Sequence, residues 1–167
     1  VKYNNISIDH LLKMTVDDAI SFFQENQNQK IIQKLKPLQS VGLGYVTLGQ
    51  SSATLSGGEA QRIKLASFIS QGSTKEKVLF IFDEPTTGLH FHDIQKLLLS
   101  FNSLIEKGHT IVVVEHNLDL IKCADHLIDL GPEAGDKGGY LVGQGTPEDI
   151  TKLKKSYTGI YLTEKLK

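Results

Sequence analysis

The sequence predicts an α/β fold in which a mostly parallel sheet follows an N-terminal helical region. Three observations carry this. First, Val78-Leu79-Phe80-Ile81-Phe82 and residues 110–114 are short unbroken apolar runs, the pattern of strands buried on both faces. Second, residues 93–107 between them place Ile94, Leu97, Leu98, Phe101, Leu104 and Ile105 at helical spacing. Third, residues 126–130 read as a further strand after a short helix, so strands and helices alternate, as parallel pairing through crossovers requires. A chain of 167 residues, 40% of them hydrophobic, can bury the core of one domain or of a large piece of one.

In chain order, Thr15 is placed as a helix N-cap with Asp17 and Asp18 in the first turn. Val16, Ala19, Ile20 and Phe23 then share one helical face. A second helical stretch carries Ile31, Ile32, Leu35 and Leu38, and Pro37 should bend or split it. Gly42-Leu43-Gly44 closes this region. A polar loop then leads to Ser56-Gly57-Gly58 and a helix with Ile63, Leu65, Ala66 and Ile69, which Gly72-Ser73-Thr74 should break. Gly108 is the expected C′ residue of the helix over 93–107. Asn117 can cap a short helix reaching about Ala124. Residues 135–139 form a glycine-rich turn, and residues 140–142 a short strand. Thr146-Pro147-Glu148-Asp149 is a helix start with proline at the first helical position.

Composition excludes several classes. Lys plus Arg (18) nearly cancels Asp plus Glu (19), so no global basic field points to nucleic acid or an anionic membrane. Cys123 is the single cysteine, which rules out an intramolecular disulfide and any Cys-x-x-Cys zinc site. This suits a cytoplasmic setting. No apolar run approaches the ~20 residues of a membrane span, and no signal-peptide pattern opens the chain. The chain starts at Val1 rather than Met, which suggests an excised piece.

The residues that carry chemistry lie at element ends. In Leu55-Ser56-Gly57-Gly58-Glu59, glycines let the backbone approach a ligand, and the helix that follows aims free N–H groups and a positive dipole end at an anion. Ser56 adds a hydroxyl donor, so the run reads as a phosphate grip. Asp83 and Glu84 follow the strand over 78–82, where α/β folds bind ligands. Asp83 can hold Mg²⁺ through water, and Glu84 can orient or deprotonate an attacking water. His116 closes the next strand and can donate to a phosphate. His90, His92 and Asp93 lack a further obvious ligand and read as a loop entering a helix, with Asp93 or a neighbour as its cap. Cys123 reads as a buried small apolar residue. Lys30 to Lys36 and Lys152 to Lys155 read as solvated helix faces.

Together, Val41-Gly42-Leu43-Gly44-Tyr45, the run from Leu55 to Lys64, the run from Phe82 to Phe91, Glu115-His116-Asn117-Leu118-Asp119 and Ile128-Asp129-Leu130-Gly131-Pro132-Glu133 resemble the ABC ATPase superfamily. Within it the chain is most similar to the UvrA family, the damage-recognition subunits of bacterial nucleotide excision repair. It resembles the C-terminal part of the second nucleotide-binding domain.

The resemblance implies ATP and Mg²⁺ as cofactors. Ser56, Gly57, Gly58 and Glu59 would form the signature motif, facing a nucleotide held by the other nucleotide-binding domain. Asp83 and Glu84 would form the Walker B pair, Thr87, Gly88, Leu89 and His90 the D-loop, and His116 the switch histidine of this domain's own site. It also implies a UvrA dimer, UvrB, damaged double-stranded DNA and no membrane as the partner set. The family's zinc modules, Q-loop and Walker A loop match nothing here; no G-x-x-x-x-G-K-[ST] occurs in the sequence. Gln50 sits too near the signature to be the Q-loop glutamine.

Residues 1–72 are then the helical signature region and 73–167 the Walker B and switch-histidine core. Without the Walker A strand, the strands at 110–114 and 126–130 should not pair with each other. The isolated chain should not hydrolyse ATP. A drug-resistance paralogue of the same family and a transporter ATPase domain are the alternatives.

Overall fold

A computed structural model describes residues 2–70, 76–133 and 138–166. The chain divides into two compact units, Val1–Val114 and Glu115–Lys167. The first opens with a small antiparallel pair, β1 (Lys2–Tyr3) and β2 (Ile6–Ser7), and a short helix α1 (Ile8–Lys13). Helix α2 (Val16–Glu25) starts at a full capping box. The Thr15 side chain accepts from the Asp18 N–H, and the Asp18 carboxylate accepts from the Thr15 N–H. Its inner face is the one the periodicity marked. Val16, Ala19, Ile20 and Phe23 are buried with Ile32 of α3 (Gln29–Ser40), flanked by Leu35 and Leu38. Pro37 does not split α3 into two helices. It lies near the C-terminal end, where the one backbone donor it removes can be lost without ending the helix.

Helix α4 (Gly57–Ser70) follows the loop after Gly44. Its expected break at Gly72-Ser73-Thr74 lies outside the described residues. Strands β3 (Leu79–Asp83) and β4 (Thr110–Val114) pair in parallel, Leu79 opposite Thr110 through Asp83 opposite Val114. Helix α5 (Phe91–Glu106) makes the crossover between them and buries Ile94, Leu97, Phe101 and Leu104. It ends as expected: the Gly108 N–H donates to the Ile105 carbonyl, and the His109 N–H to that of Leu104.

The expectation that these strands are buried on both faces is corrected. Phe80 and Phe82 face Phe68, His109 and Phe101, but Ile81 is 68% and Val114 57% exposed, with Leu79 and Val112 beside them. Among the described residues, one face of the ladder is packed and the other is not.

The second unit holds α6 (Leu118–Ile121), the antiparallel pair β5 (Leu127–Gly131) and β6 (Tyr140–Gly145), α7 (Pro147–Thr151) and α8 (Tyr157–Lys165). Ile121, Ile150 and Leu162 form its apolar centre. Asn117 caps α6, and Thr146 caps α7 with Pro147 in its first turn, as anticipated. Strand β6 runs three residues beyond the expected Val142. Helix α8, α1 and the β1–β2 pair were not anticipated. The expected turn at 135–139 falls largely outside the described residues. Cys123 is exposed rather than buried, its thiol 3.4 Å from the Asp119 carbonyl. Among the described strands, β3 and β4 form a parallel pair, and β1–β2 and β5–β6 are antiparallel pairs.

Candidate active site

The start of α4 is built by its own side chains. Ser56 Oγ accepts from the Glu59 N–H at 3.2 Å, and a Glu59 carboxylate oxygen accepts from the Ser56 N–H at 2.7 Å. This reciprocal pair satisfies two end groups of the helix. The other Glu59 oxygen accepts from the Tyr45 hydroxyl at 2.7 Å. The Ser56 N–H, and then Tyr45, hold the Glu59 carboxyl below the ordinary glutamate range. Desolvation, and then Glu59, push the Tyr45 phenol up. Gly57 and Ser56 are exposed, and a side chain added at Gly57 would meet only open space.

Gly58 is buried. A Cβ there would stand 3.2 Å from Arg62 Nη1 and 3.5 Å from the carbonyl oxygens of both Glu84 and Thr87. A Cβ would thus touch the turn after β3 at ordinary contact distance and would require the Arg62 guanidinium to give way by a few tenths of an ångström. That turn runs from Glu84 to Leu89, with the Thr87 N–H donating to the Glu84 carbonyl and the Leu89 N–H to that of Thr86. Pro85 and Thr86 are buried, while Asp83, Glu84 and Thr87 are exposed. Glu84 sits at φ +46°, in the left-handed region. For a residue with a Cβ this costs about 1–2 kcal/mol, so the surrounding bonds must hold it there. One of them is the Glu84 N–H donating to the Val114 carbonyl at 2.9 Å. Gly88 takes φ +76°, which suits glycine alone without cost.

Three further residues join the two segments. Gln61 bonds both backbone groups of Asp83. Arg62 is fully buried, donates to the Pro85 carbonyl at 2.5 Å and lies 3.5 Å from the Tyr45 hydroxyl. Its Nε has no hydrogen-bond partner among the described residues.

The structure thus brings Ser56, Gly57, Gly58 and Glu59 to the same junction as Asp83 and Glu84, with Thr87 adjoining. Gly88 and Leu89 continue the turn, and His90 is the N-cap residue of α5, without a side-chain capping bond. Asp93, offered above as the cap, is instead inside the first turn and pairs with Lys96 at 3.0 Å. His116 belongs to the second unit; its N–H donates to the Glu115 carboxylate at 2.8 Å. Among the described residues no group of three or more His, Cys, Asp or Glu could hold a metal by itself. No helix among them is long and apolar enough to cross a membrane.

The linking roles of Tyr45, Gln61 and Arg62 were missed by sequence reasoning. Ser56-x-x-Glu59 was legible as a capping box, but a carboxamide reaching a strand 22 residues away has no local pattern.

No family model matches the chain. UvrABC system protein A of Clostridium perfringens is 54% identical over 166 residues, covering 99% of this chain. The protein of the same name from Staphylococcus aureus strain COL is 57% identical over the same span. Each match takes up 17% of the relative's length. The crystal structure of UvrA2 from Deinococcus radiodurans superimposes with a TM-score of 0.81 at 40% identity, covering 98% of this chain and 20% of that one. A bacterial Atm1-family ABC exporter with ATP bound matches at a TM-score of 0.53 and 20% identity, covering 94% of this chain and 27% of that one, which bears on fold alone. By sequence and by fold the chain is a UvrA-family segment with an ABC ATPase fold, and it spans 17% of the length of the curated relatives it matches.

Proposed function

We propose that this segment is part of an ATPase that recognises damaged DNA in bacterial nucleotide excision repair, within the second of two nucleotide-binding domains. The observation that carries this is the junction itself. A Ser-Gly-Gly helix start is held against an acidic turn whose Glu84 is kept left-handed at φ +46°. The residues fit a nucleotide and its metal: Gly57 leaves its approach open, Gly58 lets the helix start lie against the acidic turn, and Asp83 and Glu84 are exposed at a strand end. Bound ATP with Mg²⁺ would supply the phosphoryl group to be transferred to water.

In this reading the Ser56 hydroxyl and the N–H groups at Gly57 and Gly58 donate to phosphate oxygens of a nucleotide held by the other domain. Glu59 keeps that helix start in shape. Asp83 would help hold the Mg²⁺, and Glu84 would orient the attacking water and take its proton. His116 donates to the phosphate of this domain's own site. Thr87, Gly88, Leu89 and His90 meet the partner domain. Residues 1–72 serve the grip, and 73–167 serve the carboxylates and the histidine.

Engagement of the grip would couple hydrolysis to damaged double-stranded DNA, to dimerisation and to loading of UvrB, in the cytoplasm. The chain alone would turn over no ATP. In a full-length protein carrying this segment, Ser56→Ala should slow ATP hydrolysis roughly 10- to 100-fold, the worth of one charge-assisted hydrogen bond. An unchanged rate would contradict the assignment.

A further inference from the structure

Asp83 ends β3, and β4 reaches only one edge of the strand. The Thr110 N–H donates to the Val78 carbonyl at 3.0 Å, and the Glu84 N–H to the Val114 carbonyl at 2.9 Å. Even-numbered residues therefore turn their backbone groups toward β4, and odd-numbered ones toward the opposite edge. At Asp83 both outward groups are taken by one side chain. Gln61 Oε1 accepts from the Asp83 N–H at 3.2 Å, and Gln61 Nε2 donates to the Asp83 carbonyl at 3.0 Å. A carboxamide offers acceptor and donor in one plane, so Gln61 stands in for two ladder bonds of a neighbouring strand. Its neighbour Arg62 fixes the Pro85 carbonyl two residues further on.

We propose that Gln61 is a positioning residue for the acidic turn. By pinning the Asp83 peptide it fixes the Asp83 carboxylate and the left-handed Glu84 relative to the Ser56 grip on the same helix. A displacement of the grip by a phosphate is thereby passed to the carboxylates. Under the ATPase reading above, on which this consequence rests, the link joins two different nucleotides. The pinning rests on geometry alone.

The test has two arms. In this chain, Gln61→Leu should speed amide exchange at the Asp83 N–H roughly tenfold, as loss of one hydrogen bond implies, and leave Ala19 and Ile20 of α2 unchanged. Gln61→Glu keeps the acceptor and loses the donor, so the Asp83 N–H should stay protected within about twofold. In the full-length protein, Gln61→Leu should lower kcat about tenfold with KM for ATP within about twofold, the pattern of a group acting after binding, and Gln61→Glu should recover part of it. Unchanged Asp83 exchange in Gln61→Leu would overturn the pinning. Faster exchange with unchanged kcat would overturn the coupling. A wild-type full-length protein without hydrolysis would overturn the ATPase reading, while the exchange arm still decides the pinning.

Discussion

The α2–α3 layer and the junction between α4 and the acidic turn are held by different physics. In the first, Val16, Ala19, Ile20, Phe23 and Ile32 are buried together, with other apolar side chains around them. Such packing depends on volume and tolerates small shifts. In the second, Ser56, Glu59, Tyr45, Gln61, Arg62, Asp83 and Pro85 are joined by directional bonds across a segment that leaves Asp83 and Glu84 exposed. Directional bonds fix geometry where water and ligand must still reach the carboxylates. The first region is held by apolar burial and the second by directional bonds.

The contrast breaks most visibly at Phe23. Phe23→Ala should cost about 3–5 kcal/mol in denaturant unfolding through the lost burial and the cavity left behind. A loss under ~1 kcal/mol would mean that the layer is not the chain's main support.

Tyr45→Phe removes a half-exposed hydroxyl that donates to Glu59 and accepts, at 3.5 Å, from Arg62, and should cost about 1–2 kcal/mol. Its sharper effect is on pH dependence. The folded-state Glu59 lies below its unfolded value. Its contribution is therefore complete above the ordinary glutamate range and is lost as the pH falls through the folded value. Without the Tyr45 bond that shift is smaller, so acid should remove less stability from Tyr45→Phe than from wild type. Stability-versus-pH curves that stay parallel would place the cause of the Glu59 shift elsewhere.

The two regions also differ in how much the sequence revealed. The α2 face was legible because a period of 3.6 residues and the Thr15-x-x-Asp18 cap point the same way. The grip and the acid pair were legible as motifs at element ends. The burial of β3 and β4 was not. An unbroken apolar run fits two covered faces, yet one set of side chains, Phe80, Phe82, Ile111 and Val113, is at least partly covered, while Leu79, Ile81, Val112 and Val114 are exposed. What covers a strand is a tertiary fact that no period of two records. The bonds of Gln61 to Asp83 and of Arg62 to Pro85 were hidden for the same reason. Each joins residues more than 20 positions apart, and neither leaves a spacing to read.

Glu84, whose backbone the junction holds at φ +46°, carries the proposed chemistry most directly. In a full-length protein carrying this segment, steady-state ATP hydrolysis by Glu84→Gln should fall at least ~100-fold, as expected for removal of a general base, with nucleotide affinity kept within about threefold. Hydrolysis within about threefold of wild type, with the fold intact, would contradict the assignment of this turn as the seat of the chemistry.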